Sequence, residues 1–115
     1  METACFRIKL KKDSLDGVRT WFQTLKDRET EVLETLENEG TVVESVFLDK
    51  FGEDFYLIYY IKAQNIEFAR ETAKKSLLPI DLHHKECREK FCEKAEKLEE
   101  LFDLHTIRSF SMEEP

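Results

Sequence analysis

The stretch Val42-Val43-Glu44-Ser45-Val46-Phe47-Leu48-Asp49, the link Lys50-Phe51-Gly52-Glu53-Asp54 and the run Phe55-Tyr56-Leu57-Ile58-Tyr59-Tyr60-Ile61-Lys62 read as two strands and the turn between them. Branched and aromatic residues dominate both runs, as a packed pleated surface favours. Gly and acidic residues in the link suit a hairpin turn, which makes the strands antiparallel neighbours. Val43, Ser45 and Phe47 fall on one face of the first strand, and Val42, Glu44, Val46 and Leu48 on the other. In the second strand Phe55, Leu57, Tyr59 and Ile61 alternate with Tyr56, Ile58, Tyr60 and Lys62. An antiparallel sheet with helices on one side normally shows a polar opposite face. Here both faces are largely apolar, so something must cover the second one.

Outward from the hairpin, the chain supplies the rest of a small α+β domain. Thr3 to Lys11 alternates Phe6, Ile8 and Leu10 with Cys5, Arg7 and Lys9, which predicts a first strand. Asp13 and Ser14 offer a helix N-cap, and Leu15, Val18, Phe22 and Leu25 then form a helical stripe. The stripe resumes at Val32, Leu33 and Leu36 after the polar Asp27-Arg28-Glu29-Thr30, which predicts a break there. Gly40 closes the helical region as a C-cap. Asn65 caps a helix over 66–76, and Pro79 suits the first turn of a longer one over 80–102. Leu104 to Phe110 is expected to be the last strand. The order is βαββαβ, a ferredoxin-like sandwich with an antiparallel sheet and helices on one face. One domain is expected over residues 1–110, with a disordered tail at 111–115.

The two-sided hairpin bears on assembly. A second copy of the chain is the simplest cover for the bare face, which predicts a homodimer through that face with a barrel-like interior. The alternative is a monomer whose helices wrap further round the sheet.

Composition excludes several function classes. The 115 residues carry 18 basic and 25 acidic side chains, a net charge of −7, with the basic residues interleaved among the acidic ones. Recognition of a phosphate backbone needs clustered Lys and Arg, so nucleic acid is not an expected partner. No segment approaches the roughly 18 apolar residues of a membrane span, and the opening Met-Glu-Thr-Ala-Cys-Phe-Arg has no signal-peptide run. Three cysteines, an odd number, argue for reduced thiols and a cytoplasmic location. With three glycines in the chain there is no phosphate-cradling loop, and GxSxG, HExxH and CxxC are all absent.

The remaining chemistry rests on a few side chains. His84 falls on the apolar stripe of the last helix, between Ile80 and Cys87. An inward histidine must find a hydrogen-bond partner, because leaving one buried without any costs about 1–3 kcal/mol. Asp81, three residues earlier, is the expected orienter. His84 is then either a proton donor and acceptor facing a cavity or a satisfied core histidine. His83 is expected to face solvent, and a metal site from His83 or His84 with Cys87 lacks further ligands, so no metal is expected. Arg7, on the polar face of the first strand, is placed with Glu44 and Tyr60 as a polar lining for a small ligand. The alternative there is a structural ion pair. Trp21 is expected at the rim of the core.

Four segments also resemble a known family. They are Arg7-Ile8-Lys9-Leu10, Glu44-Ser45-Val46-Phe47, Leu57-Ile58-Tyr59-Tyr60 and, above all, Ser76-Leu77-Leu78-Pro79-Ile80-Asp81-Leu82-His83-His84-Lys85. Together they resemble an uncharacterised family of small prokaryotic proteins placed with the dimeric α/β-barrel superfamily, a similarity that runs to about Phe91. The resemblance implies a ferredoxin-like fold and a barrel-forming dimer, and it implies no activity. The functional expectation is a small-molecule site lined by Arg7, Glu44 and Tyr60. As an enzyme it would do acid–base chemistry without a cofactor, with His84 as proton shuttle and Asp81 behind it. The alternatives are a ligand-sensing domain using the same pocket and a protein-interaction module.

Overall fold

The structure, a computed structural model, describes residues 1–107. Among these the chain forms β1 (Glu2–Leu10), α1 (Leu15–Asp27), α2 (Glu29–Glu39), β2 (Thr41–Phe51), β3 (Asp54–Ala63), α3 (Ile66–Lys75), α4 (Pro79–Phe91) and β4 (Cys92–Lys97). The strands form one sheet in the order β2-β3-β1-β4, and all three pairings are antiparallel. This is the ferredoxin-like α+β fold, with each of its two helical connections divided into a pair of helices.

Local chemistry explains most boundaries. The α1/α2 break falls at Arg28, which leaves helical geometry while its backbone carbonyl accepts from Glu31 and Val32. Gly40 ends α2 in the left-handed region at φ 70°, the conformation a Cβ disfavours, and its N–H returns to Glu37 and Leu36. The Asn65 side chain accepts from the Phe68 N–H at 2.8 Å, and Pro79 opens α4. In the hairpin, Phe51 pairs with Asp54 across Gly52 and Glu53, and Gly52 has the positive φ that a two-residue turn requires.

The core lies between the sheet and the helices. Ile8, Leu10, Val18, Trp21, Leu57 and Cys87 form its centre, with Trp21 only 2% exposed. Trp21 is therefore a central residue rather than a rim one. Its ring lies 4.5 Å from that of Phe22 and 6.4 Å from that of Phe91. Phe91 also presses on α1 at Gly17, where a β-carbon would run into its ring.

The C-terminal third corrects the sequence reading. The last helix stops at Phe91 rather than Phe102, and Cys92–Lys97 instead pairs with β1, where Phe6 meets Lys97 and Ile8 meets Ala95. The run is rich in Glu and Lys, good helix formers, yet β1 has an unpaired edge that it can satisfy. Charged side chains are also what keeps an edge strand from recruiting a neighbour. The expected strand from Leu104 does not form over residues 104–107, and its end, like the expected tail at 111–115, lies outside the described residues.

All four helices pack on one side of the sheet. On the other side Arg7 stacks over Tyr56, with its guanidinium carbon 3.8 Å from the ring centroid. Part of that face is covered by the chain itself. Residues 98–103 run beside Cys5 and Tyr60, and Asp103 takes an ion pair at 2.5 Å from Lys62, whose side chain is 5% exposed. Phe47 and Phe51 remain 63% and 70% exposed, and Leu101, Phe102 and Leu104 point outward at 77–87%.

Candidate functional site

Strand alternation sends Phe6, Glu44, Tyr59 and Ile61 toward the helices, and the two divided connections do not fill the space above them. A cavity of about 1080 Å³ remains between the sheet and α2, α3 and α4. Its apolar wall includes Phe6, Leu36, Ile61, Ile66 and Ile80, and its polar lining includes Glu39 from α2, Glu44 from β2, Tyr59 from β3, Asp81 and His84 from α4 and a charged set from α3. Ligand sites are commonly built this way, as an apolar concavity with a few convergent polar groups.

A directional chain of hydrogen bonds crosses this region. The Trp21 indole N–H donates to Nδ1 of His84 at 3.2 Å. That nitrogen must then be unprotonated, so the neutral ring carries its proton on Nε2, 3.3 Å from the Tyr59 hydroxyl. The hydroxyl accepts there and donates onward to Oε2 of Glu44 at 2.7 Å. Each member fixes the polarity of the next, and the chain ends on a carboxylate at the cavity wall.

The electrostatics divide the groups. Burial, reinforced by the nearby Arg88 charge, pushes His84 down to about 4, so it stays neutral at physiological pH. Burial raises Glu44 against the opposing Tyr59 hydrogen bond, and burial beside Glu44 lifts Tyr59 well above the usual phenol range. Glu39, the last residue of α2, is 8% exposed and accepts a bond from the Thr41 hydroxyl at 3.2 Å. Burial first, then the charges of Glu44 and Asp81, raise it to about 7. Among the described residues no Lys or Arg forms an ion pair with Glu39 or Glu44. A carboxyl half-protonated at neutral pH is a competent acid and base.

The sequence-based site is only partly assembled. His84 and Glu44 line the cavity and are joined through Tyr59. Asp81 also lines it, but it accepts the Ser76 hydroxyl at the turn into α4, and the ring nitrogens of His84 go to Trp21 and Tyr59 instead. Arg7 and Tyr60 are not in the cavity. Register sets Glu44 opposite Ile61, whereas Ser45 meets Tyr60 and Arg7 meets Ile58, which puts Arg7 and Tyr60 on the far face. Tyr60 lines a smaller hollow of about 540 Å³ against residues 97–102. The expected grouping matched the wrong faces of β1, β2 and β3, because alternation within a strand does not say which face its neighbour shares. His83 is half-buried rather than solvent-facing, with Nε2 3.7 Å from the Cys87 sulfur.

Three contributors were not among the expected site residues: Trp21, Tyr59 and Glu39. Tyr59 shares its alternation with Leu57 and Ile61, so a polar group on an apolar face was the available signal. Glu39 follows Thr35 by four residues, which places both on one face of α2, and both line the cavity.

A protein-family model described as a family of unknown function, DUF6176, matches residues 1–109. The solution NMR structure of a de novo designed protein with a ferredoxin fold aligns with a TM-score of 0.57 at 16% identity, covering 94% of this chain and 95% of that one. Such a likeness carries the fold alone. No curated protein matches the chain.

Proposed function

The chain belongs to the DUF6176 family of unknown function, and we propose that it binds a small molecule between its sheet and helices and exchanges a proton with it, without a cofactor. The hydrogen-bond chain Trp21–His84–Tyr59–Glu44, ending on the wall of a 1080 Å³ cavity, carries this reading. A neutral histidine with both nitrogens engaged is a positioning group, so the acid–base role passes from His84 to Glu39. Glu39 populates both protonation states near neutral pH and lies in the same cavity. Glu44, held by Tyr59, is the oriented acceptor beside it. Asp81 anchors the start of α4, which carries His84. The half-buried and buried thiols Cys5, Cys87 and Cys92 are free and fit a reducing, cytoplasmic setting.

The test is a fragment screen by amide chemical shifts, run on wild type and on Ala73→Trp. Ala73 lines the cavity, and an indole there would fill part of it. Binders that shift the Tyr59 and His84 region in wild type and are lost in Ala73→Trp support the site. Binders that persist unchanged in the filled variant, or a screen without any, refute it.

A second reading concerns assembly. The far sheet face leaves Phe47, Phe51, Leu101 and Phe102 63–87% exposed around a part-covered apolar surface, which supports a homodimer through that face. Light scattering of wild type and Phe47→Asp tests it. A dimer that the substitution dissociates supports the reading, and a wild-type monomer at high protein concentration ends it.

A further inference from the structure

We infer that the ligand of this cavity carries a protonated amine, held between the Glu39 and Glu44 carboxylates, on an apolar body. The inference rests on the small-molecule reading above and adds the chemistry of the ligand. Buried charges in folded proteins are paired or neutralised. Here two carboxyl groups share one cavity, and among the described residues each accepts a single side-chain bond from a neutral hydroxyl, Thr41 for Glu39 and Tyr59 for Glu44. Most of their acceptor capacity is unused.

A second observation is independent of these acids. Thr35, 8% exposed and lining the same cavity one turn before Glu39, has a hydroxyl without a hydrogen-bond partner among the described residues. Native structures rarely leave a buried hydroxyl so, and a donor or acceptor from a ligand would satisfy it. The charges around the cavity agree with a cationic head. The charges of Glu44 on β2 and Asp81 on α4 act on Glu39, and Tyr59, neutral His84, Arg88 and the α3 residues Glu67, Arg70, Glu71 and Lys74 line the same cavity. Of the cavity's basic groups, Arg70 rests over the Phe6 ring at 5.3 Å and Lys85 is bonded to the carbonyls of Lys74 and Ser76, while Lys74 on α3 and Lys97 on β4 form no ion pair with Glu39 or Glu44 among the described residues. Arg88 acts on Glu44 through space without forming an ion pair. An anionic head would meet two carboxylates, whereas an ammonium supplies three N–H donors to them. Leu36, Ile61, Ile66 and Ile80 can take an alkyl or aryl body.

Titration calorimetry at pH 7 with hexylamine, hexanol and hexanoate tests the assignment, with Glu39→Gln and Thr35→Val beside wild type. Hexylamine is expected to bind more tightly than hexanoate. Glu39→Gln should weaken hexylamine roughly tenfold or more and weaken hexanol far less. Because Glu39 is partly protonated at this pH, hexylamine binding should release protons, seen as a heat that depends on the buffer, and Glu39→Gln should remove that dependence. Thr35→Val controls for the acid substitution and should weaken hexylamine without removing the proton release. Hexanoate binding as tightly as hexylamine, or Glu39→Gln leaving hexylamine affinity intact, overturns the amine assignment while the cavity reading stands. If none of the three binds wild type, the amine assignment falls, and the fragment screen decides the cavity reading separately.

Discussion

Replacing Glu39 by Gln should stabilise the protein, and by an amount that depends on pH. The carboxyl sits 8% exposed beside Glu44 and Asp81, and its value rises from an ordinary 4.5 to about 7. A carboxyl raised in this way binds its proton more tightly when folded. Its charge therefore costs nothing below about pH 4.5, costs more as pH climbs, and costs its full amount above about pH 7. At about 1.36 kcal/mol per pH unit, the displacement comes to about 3 kcal/mol. Glutamine keeps the shape and an acceptor for the Thr41 hydroxyl while removing the ionisation. Urea denaturation of both proteins at pH 4.5 and pH 8 measures the difference. The variant should match wild type at the lower pH and exceed it by about 3 kcal/mol at the higher, roughly 10 °C in melting temperature. A difference that stays flat between the two, or a variant less stable at pH 8, refutes the account of Glu39 as a buried, unpaired acid.

Trp21→Phe removes the N–H that Nδ1 of His84 accepts, so the His84 value should rise from about 4 in an NMR titration; an unmoved value would show that this bond does not hold the neutral ring. Tyr59→Phe leaves both His84 Nε2 and Glu44 without their shared partner, and chemical denaturation should register a loss of about 1–3 kcal/mol. Gly17→Ala puts a methyl group into the Phe91 ring. It should cost about 1–3 kcal/mol by the same assay although alanine is the better helix former, and a gain instead would mean that Phe91 moves aside freely.

How much of this was legible depended on whether the deciding information was local. Gly40, Asn65, Pro79 and the polar stretch around Arg28 mark their boundaries through backbone chemistry that needs no distant partner, and each marks a boundary in the structure. Cys92–Lys97 was illegible because nothing in its composition favours a strand; the open edge of β1 makes it one. His84 was visible as a polar residue on an apolar stripe. Its partners were not, since Trp21 lies 63 residues away and Tyr59 lies 25. Arg7 and Tyr60 were misplaced for want of the register between strands, although the alternation within each strand was right.

The placement of β1 also governs how the chain reaches its native state. Both of its neighbours arrive late, with Glu2 meeting Ala63 and Ile8 meeting Ala95, while the β2–β3 hairpin closes on itself. The first strand made is thus an interior strand of the sheet and stays unpaired until β3, which ends at Ala63, has been made. Loop-closure entropy of that kind slows folding, so the hairpin is the natural starting nucleus and recruitment of β1 the slow step. During synthesis the alternating segment around Phe6 and Ile8 is left open to wrong pairing until β3 has emerged.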